Sequence, residues 1–209
     1  MQPYLTVTDR SSAEYTDRRS RFIAVVAPVA SEQEALAVIR EISKEHWDAR
    51  HNVYAYIIRE GNISRFSDDG EPQGTAGMPV LEVLRGSGIV DCVVVVTRYF
   101  GGVLLGTGGL VRAYSSAAKG AVENATIVNM EPSAECRLKC DYNRYGMISS
   151  VLAESECADI NAEFSDAVDL RFTVRMCDFA QLDKKLTDLT AGSVKIEKII
   201  EKYHPFLKK

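Results

Sequence analysis

The chain of 209 residues, 46% apolar and 26% charged with only 6 Pro, is long enough for one generous domain or two small ones. Its composition excludes disordered, fibrous and low-complexity classes. With 25 Lys and Arg against 29 Asp and Glu, the net charge is −4, which excludes a polyanion-binding surface spread over the whole molecule and leaves room for a local patch. No apolar run approaches the roughly 18 residues of a membrane span; Cys92–Val96 (CVVVV) reads as a buried strand. The N-terminal text lacks the apolar stretch of a signal peptide and is too acidic for a transit peptide, so a cytoplasmic protein is expected. Five cysteines, Cys92, Cys136, Cys140, Cys157 and Cys177, form no disulfide framework and no zinc spacing; reduced structural thiols are expected.

In chain order, the first clear element is a helix. Ser31 and Glu34 form the S-x-x-E of a capping box, and Ala35, Val38, Ile39 and Ile42 recur at helical spacing against a charged back of Glu32, Arg40, Glu41 and Lys44. The sheet it packs on is predicted from Phe22–Val26, His51–Ile58 and Asp91–Tyr99. A glycine-rich loop after Tyr99 then runs into a second helix, whose buried face is marked by Leu110, Ala113, Tyr114, Ala117 and Ala121. Glu131-Pro132-Ser133 breaks the pattern, because proline lacks a donor and biases its predecessor away from helix; the domain boundary is placed there, giving domains 1–130 and 131–209.

The second half alternates element types. A strand over Ala134–Cys140 leads to a helix over Tyr145–Glu156 with Ile148, Val151 and Leu152 inward. Alternation at Ile160, Ala162 and Phe164, then at Val168, Leu170, Phe172, Val174 and Met176, predicts a hairpin. Asp178 reads as the cap of a helix with a Phe179, Leu182, Leu186 and Leu189 stripe, stopped at Gly192. Val194–Tyr203 begins as a strand, although Ile196, Ile199, Ile200 and Tyr203 would also fit a helix. If it is a strand, β-α-β-β-α-β is the order of a ferredoxin-like fold. The expected class is α+β.

Chemistry is concentrated in SRFSDDGEPQGTAGMPVLEVL and VTRYFGGVLLGTGGLVRAY. Glycines 101, 102, 106, 108 and 109 lead into a helix, whose N-terminal N–H groups can hold an anion, or they serve only positive φ and close packing. The stretch is not a Walker A loop, since Thr107 follows Gly106 where lysine is needed, and Val111 stands at the third glycine of G-x-G-x-x-G. Asp68, Asp69 and Glu71 could be metal ligands or an acid–base set, but Asp69-Gly70 is a turn signal and no histidine or further carboxylate is near enough in sequence to complete an octahedral set. His51 fits no Ser-His-Asp or Cys-His spacing. Arg98, Arg112 and Lys119, with Tyr99, Phe100 and Tyr114, could contact phosphate and stack on a base, or be solvated arginines beside packed aromatics. The acidic excess is split evenly between the halves, so neither is a basic module.

SDDGEPQGTAGMPVLEVL and VVVTRYFGGVLLGTGGLVRAYSSAA, with SRFIA at Ser20–Ala24 and HNVYAY at His51–Tyr56, resemble the signature of the YigZ family, whose first domain is the IMPACT N-terminal module. The resemblance covers roughly residues 1 to 125, and Val53 departs from the cysteine or similar residue of the His51 motif. It implies an N-terminal α/β sandwich like domain 2 of ribosomal protein S5, followed by a ferredoxin-like domain, in an arrangement like domains IV and V of elongation factor G. Eukaryotic relatives regulate translation through a protein partner, using an extra N-terminal domain. The signature marks a surface of His51, Asp68, Asp69, Glu71, Arg98, Tyr99, Gly101, Gly102, Gly106, Gly109 and Arg112, with Gly70, Pro72, Gly74 and Thr75 beside them. No catalytic residue, metal or cofactor is implied.

Two functions compete. The first is a non-enzymatic, translation-associated regulator that binds RNA, the ribosome or a translation-factor protein through the glycine-loop face. The second is a small-molecule or nucleotide enzyme that binds phosphate at the same loop. No membrane partner is expected, and the open sheet of a ferredoxin-like domain allows self-association.

Overall fold

The computed structural model describes residues 1–207, the last of them in backbone only. The chain divides into two compact units, Tyr4–Asn129 and Met130–Phe206 with Met1–Pro3.

In the first unit, β1 (Tyr4–Val7), β2 (Ser11–Asp17), β3 (Ser20–Pro28), α1 (Glu32–Glu45), β4 (His51–Ile58), β5 (Ile63–Ser67), α2 (Gly77–Ser87), β6 (Cys92–Tyr99) and α3 (Gly106–Glu123) follow in order. Five strands form a sheet in the order β2-β3-β6-β4-β5, with every neighbouring pair antiparallel. Helices cover both faces. On one, Ala35, Ile39 and Ile42 of α1 pack against Tyr56, Ile58, Val93 and Val95. On the other, Val80, Leu81 and Leu84 of α2 and Ala113, Tyr114 and Ala117 of α3 pack against Phe22, Val53, Ala55, Val94 and Val96. Burial from both sides is why β6 is an unbroken valine run, since period-2 alternation is lost when neither face meets water.

The capping box forms in altered shape. Ser31 Oγ accepts from Glu34 N at 3.2 Å, but Glu34 Oε2 accepts from Ala30 N at 2.8 Å, one residue before the cap. Sequence patterning alone missed β5 and α2. The first is short and half-polar; the second contains Pro79, which sits in the first turn, where its missing N–H costs no intrahelical bond. Gly106, Gly108 and Gly109 belong to the first turn of α3 rather than to a loop.

The second unit holds most of β7 (Ile127–Cys140), then α4 (Tyr142–Glu154), β8 (Ala158–Phe164), β9 (Val168–Arg175), α5 (Met176–Thr190) and β10 (Glu197–Leu207). Its strand order, β10-β7-β9-β8, is that of a ferredoxin-like fold. Leu138, Ile148, Leu152, Leu170, Phe172, Leu182 and Leu186 fill its core. The final segment is a strand. Pro132 does not break the chain: β7 runs through it, and its ladder with β9 starts one residue later, at Ser133. Asp178 is not a cap, because α5 starts at Met176 and Arg175 takes the cap position. Leu189 is exposed rather than inward.

Candidate functional site

The register of the first sheet assembles the site. Arg98 on β6 lies opposite Phe22 on β3 and His51 on β4, and side chains one residue along point to the other face. Arg98 and His51 therefore face α2 and α3. Tyr99 faces α1, where its hydroxyl donates to Asp48 Oδ1 and meets His46 Nδ1, each at 3.0 Å. Desolvation, with help from Asp48, raises the Tyr99 phenol above its ordinary pKa.

Glu71 lies over this row and is 9% exposed; Arg98 is 6% exposed. Glu71 Oε1 accepts from Arg98 Nη1 at 2.6 Å and from Tyr114 Oη at 2.7 Å. Burial and this carboxylate raise the Tyr114 phenol far above its ordinary range, so it stays protonated and donates. The Arg98 guanidinium lies over the rings of Phe22 at 5.5 Å and Phe100 at 5.6 Å. Its Nε is buried with no hydrogen-bond partner. His51 Nδ1 is 2.6 Å from the Asp69 carbonyl oxygen; a carbonyl only accepts, so Nδ1 carries the proton. The other ring nitrogen, Nε2, is 3.9 Å from Glu71 Oε1, beyond hydrogen-bond reach.

The two aspartates have structural work. Asp68 Oδ1 accepts from Ala76 N at 3.1 Å and Gly77 N at 2.8 Å, and Oδ2 accepts from Gly74 N at 2.8 Å. It caps α2 from eight residues upstream, at an end whose N-cap residue, Ala76, has no capping side chain. Asp69 Oδ2 accepts from Asn52 N at 2.6 Å, fastening the turn to β4. Both carboxylates are committed to backbone donors, which is the turn reading rather than the metal one.

These parts enclose a cleft of about 440 Å³ lined by Arg50, His51, Gly70, Glu71, Pro72, Arg98, Phe100, Leu104, Leu105, Gly106, Thr107 and Leu110. Arg50 and Arg98 against Glu71 leave the lining with one net positive charge. Phe100 is 44% and Leu104 80% exposed. The 100–105 loop that carries them is tied to the β2–β3 turn by Gly101 N–H to Ser20 Oγ at 3.2 Å and Arg18 Nη1 to Leu104 O at 3.3 Å. Gly101 is required by that approach, since a Cβ there would lie 2.0 Å from the Arg19 carbonyl carbon. Gly106, at φ +72, turns the chain into α3. Leu105 provides no capping side chain and the first turn has no acidic residue.

Of the sequence-derived surface, the structure brings His51, Gly70, Glu71, Pro72, Arg98 and Gly106 together in one cleft. Asp68 and Asp69 lie behind it, Gly102 is exposed and outside its lining, and Gly109 is buried under Leu105. Tyr99 is on the opposite face of the sheet. Arg112 is exposed on α3 and does not line the cleft. Sequence reasoning missed Arg50, Leu104, Leu105, Thr107 and Leu110 as lining. Arg50 was findable as the neighbour of His51, but the leucines are ordinary core types until the loop is placed.

Residues 18–122 match the family described as the Impact N-terminal domain, and residues 138–193 match a domain of unknown function, DUF1949. The chain is 37% identical over 94% of its length to IMPACT family member YvyE of Bacillus subtilis (strain 168), covering 91% of that protein. It is also 37% identical to IMPACT family member YigZ of Escherichia coli (strain K12), over 88% of this chain and 92% of the relative. The chain belongs to the IMPACT family. A solved structure titled "Crystal structure of an hypothetical protein" superposes with TM-score 0.61 at 35% identity, over 97% of this chain and 100% of that one. Both units thus fit the IMPACT family architecture, an S5 domain 2-like sandwich followed by a ferredoxin-like domain. Among the described residues, no helix is long and apolar enough to cross a membrane.

Proposed function

We propose that this IMPACT family chain is a translation-associated regulator of the cytoplasm that binds RNA in the cleft between the β4–β6 row and the start of α3. The observation that carries the reading is the exposed Phe100 ring beside Arg98 and the uncapped first turn of α3. An aromatic platform for a base, next to donors for a phosphate, is the pairing that single-stranded nucleic acid needs. Family membership supports the translation-related part. The lining offers no Ser, Cys, Lys or Asp side chain, and Thr107 is its single hydroxyl, which favours binding over chemistry at His51.

The test is co-sedimentation and fluorescence anisotropy of the purified chain with ribosomes and with short single-stranded RNA across a salt series. Salt-sensitive binding is expected, weakened about tenfold in Phe100→Ala, as loss of one stacking contact should do, and retained in Arg112→Ala. Absence of RNA binding at low salt, or equal binding by Phe100→Ala, would overturn the assignment. The apolar walls and small volume also suit the second reading, a nucleotide- or phosphate-binding enzyme. Under that reading, nucleotides with magnesium raise the melting temperature while RNA does not bind.

A further inference from the structure

We infer that the inner end of the cleft is a subsite for a phosphate monoester, carried either by the 5′ end of an RNA or by a free nucleotide. The inference deepens the RNA-binding reading and rests on it for the identity of the chain that carries the phosphate.

Two independent features converge there. Arg98 is more than nine-tenths buried, yet among the described residues Nη1 alone has a protein acceptor, Glu71, and Nε is buried without one. A desolvated guanidinium with unused donors calls for a further acceptor, because an arginine has five N–H groups in a fixed fork. The second feature is the first turn of α3. Its N–H groups have no intrahelical partner, no side chain caps them, and space is open above Gly106 and Gly108, where an added Cβ would meet nothing within 4 Å. Gly106, Thr107 and Arg98 line one cleft. Arg98 neutralises Glu71, and Tyr114 bonds the same oxygen, so the net positive charge that the lining offers an anion is that of Arg50.

The recessed position selects the ester class. A phosphodiester within a strand presents two free oxygens and has a sugar on either side, so reaching an arginine that is 6% exposed requires both sugars to enter. A terminal phosphate enters on a single arm and presents three oxygens, enough to meet Arg98 and the α3 amides together. Phe100 and Leu104 at the mouth are then placed for the attached nucleoside, and a volume of about 440 Å³ fits one nucleotide rather than a track of several.

The experiment compares one RNA sequence carrying a 5′-phosphate with the same sequence carrying a 5′-hydroxyl, and adenosine 5′-monophosphate with adenosine, on the full-length protein. The decisive variant is Thr107→Glu. Thr107 is exposed, and a carboxylate in the first turn favours the helix, so the variant folds while occupying the position of the phosphate with negative charge. The 5′-phosphate should tighten RNA binding about tenfold or more, the gain from charge-assisted hydrogen bonds. Thr107→Glu should abolish that gain, and Arg112→Ala should retain it. RNA bound equally well with either 5′ end, with no preference for the monophosphate over adenosine, overturns the subsite and leaves the RNA reading standing. Binding of the monophosphate without any RNA overturns the RNA reading and keeps the subsite. A 5′-phosphate preference that survives in Thr107→Glu overturns its placement at α3.

Discussion

At the residue scale the centre of the molecule is the Arg98–Glu71–Tyr114 group. Three polar side chains share one buried carboxylate oxygen, so each depends on the others for its desolvation cost. Arg98→Met alone leaves Glu71 buried without its cation and should cost about 3–5 kcal/mol, whereas the double variant Arg98→Met/Glu71→Gln should cost clearly less than the two single changes added. Urea unfolding of the four proteins measures the coupling; additive costs would show that the pair is not an energetic unit. Tyr114 adds a pH dependence. Its folded phenol is raised by burial and by Glu71, so its contribution is full below the ordinary phenol value near 10 and is lost as pH rises beyond it, because the unfolded chain ionises first. Tyr56, raised to about 12 by burial and Glu32, shares the sign over the window from 10.0 to about 12, and so does Cys92, raised from 9.0 to about 12 by burial. Tyr114→Phe should therefore flatten, but not remove, the alkaline decline in urea midpoint between about pH 9 and 11. His51, Glu71 and Arg98 could be singled out in sequence as polar residues in dense signature text. Their partnership could not, because Glu71 and Arg98 meet through the register of three strands.

At the element scale, α2 shows a helix stabilised by a residue far outside it. Asp68 satisfies the N–H groups of Gly74, Ala76 and Gly77, which is more than an ordinary cap does. Asp68→Ala should cost about 2 kcal/mol, the upper end for a lost cap. Hydrogen exchange at Gly77 and Met78 should accelerate more than exchange in α1, and unchanged protection at α2 would refute the role. The sequence shows why α1 was legible and α2 was not. Ser31 and Glu34 cap locally and the helix is amphipathic, with its polar back in water. By contrast, α2 starts with Gly77-Met78-Pro79, has its cap eight residues upstream, and carries apolar residues around much of its circumference. The same limit explains Pro132. Proline breaks a pattern when its N–H is needed, and in β7 the β9 ladder begins just after it.

At the scale of the whole molecule, a net charge of −4 means that the proposed RNA binding must rest on a local patch, and in the cleft Arg50 and Arg98 are the cationic lining residues. Engagement of about one or two phosphates predicts a shallow salt dependence, with log K falling against log salt at a slope near −1 for single strands. Anisotropy titrations give the slope directly; a slope several times steeper would require a basic track that the lining does not supply. The second unit has a pocket of about 420 Å³ lined by residues that include Arg137, Lys139, Lys195 and Glu197, where Arg137 and Lys139 pair with Asp169. Another pocket of that unit, of about 320 Å³, is lined by residues that include Glu154, Glu156, Arg175, Asp178 and Lys185. There Arg175 pairs with Glu131, Glu156 and Asp178, and Lys185 pairs with Glu154.

Local patterning by itself determined the α+β class, the faces of α1, α3 and α4, the valine strand β6 and the β-α-β-β-α order that opens the second half. Each follows from residue periods of 2 and 3.6 that are written within a dozen positions. Signature text also marked His51, Glu71, Arg98 and Gly106 before any of them had a neighbour. Only the tertiary structure decided that Tyr99 turns away from them, that Arg112 stands apart, that the aspartates serve the backbone, and that β10 is a strand rather than a helix. Those outcomes depend on strand register, on which face a residue takes beside a given partner, and on hydrogen bonds closed across tens of residues, none of which a local pattern encodes.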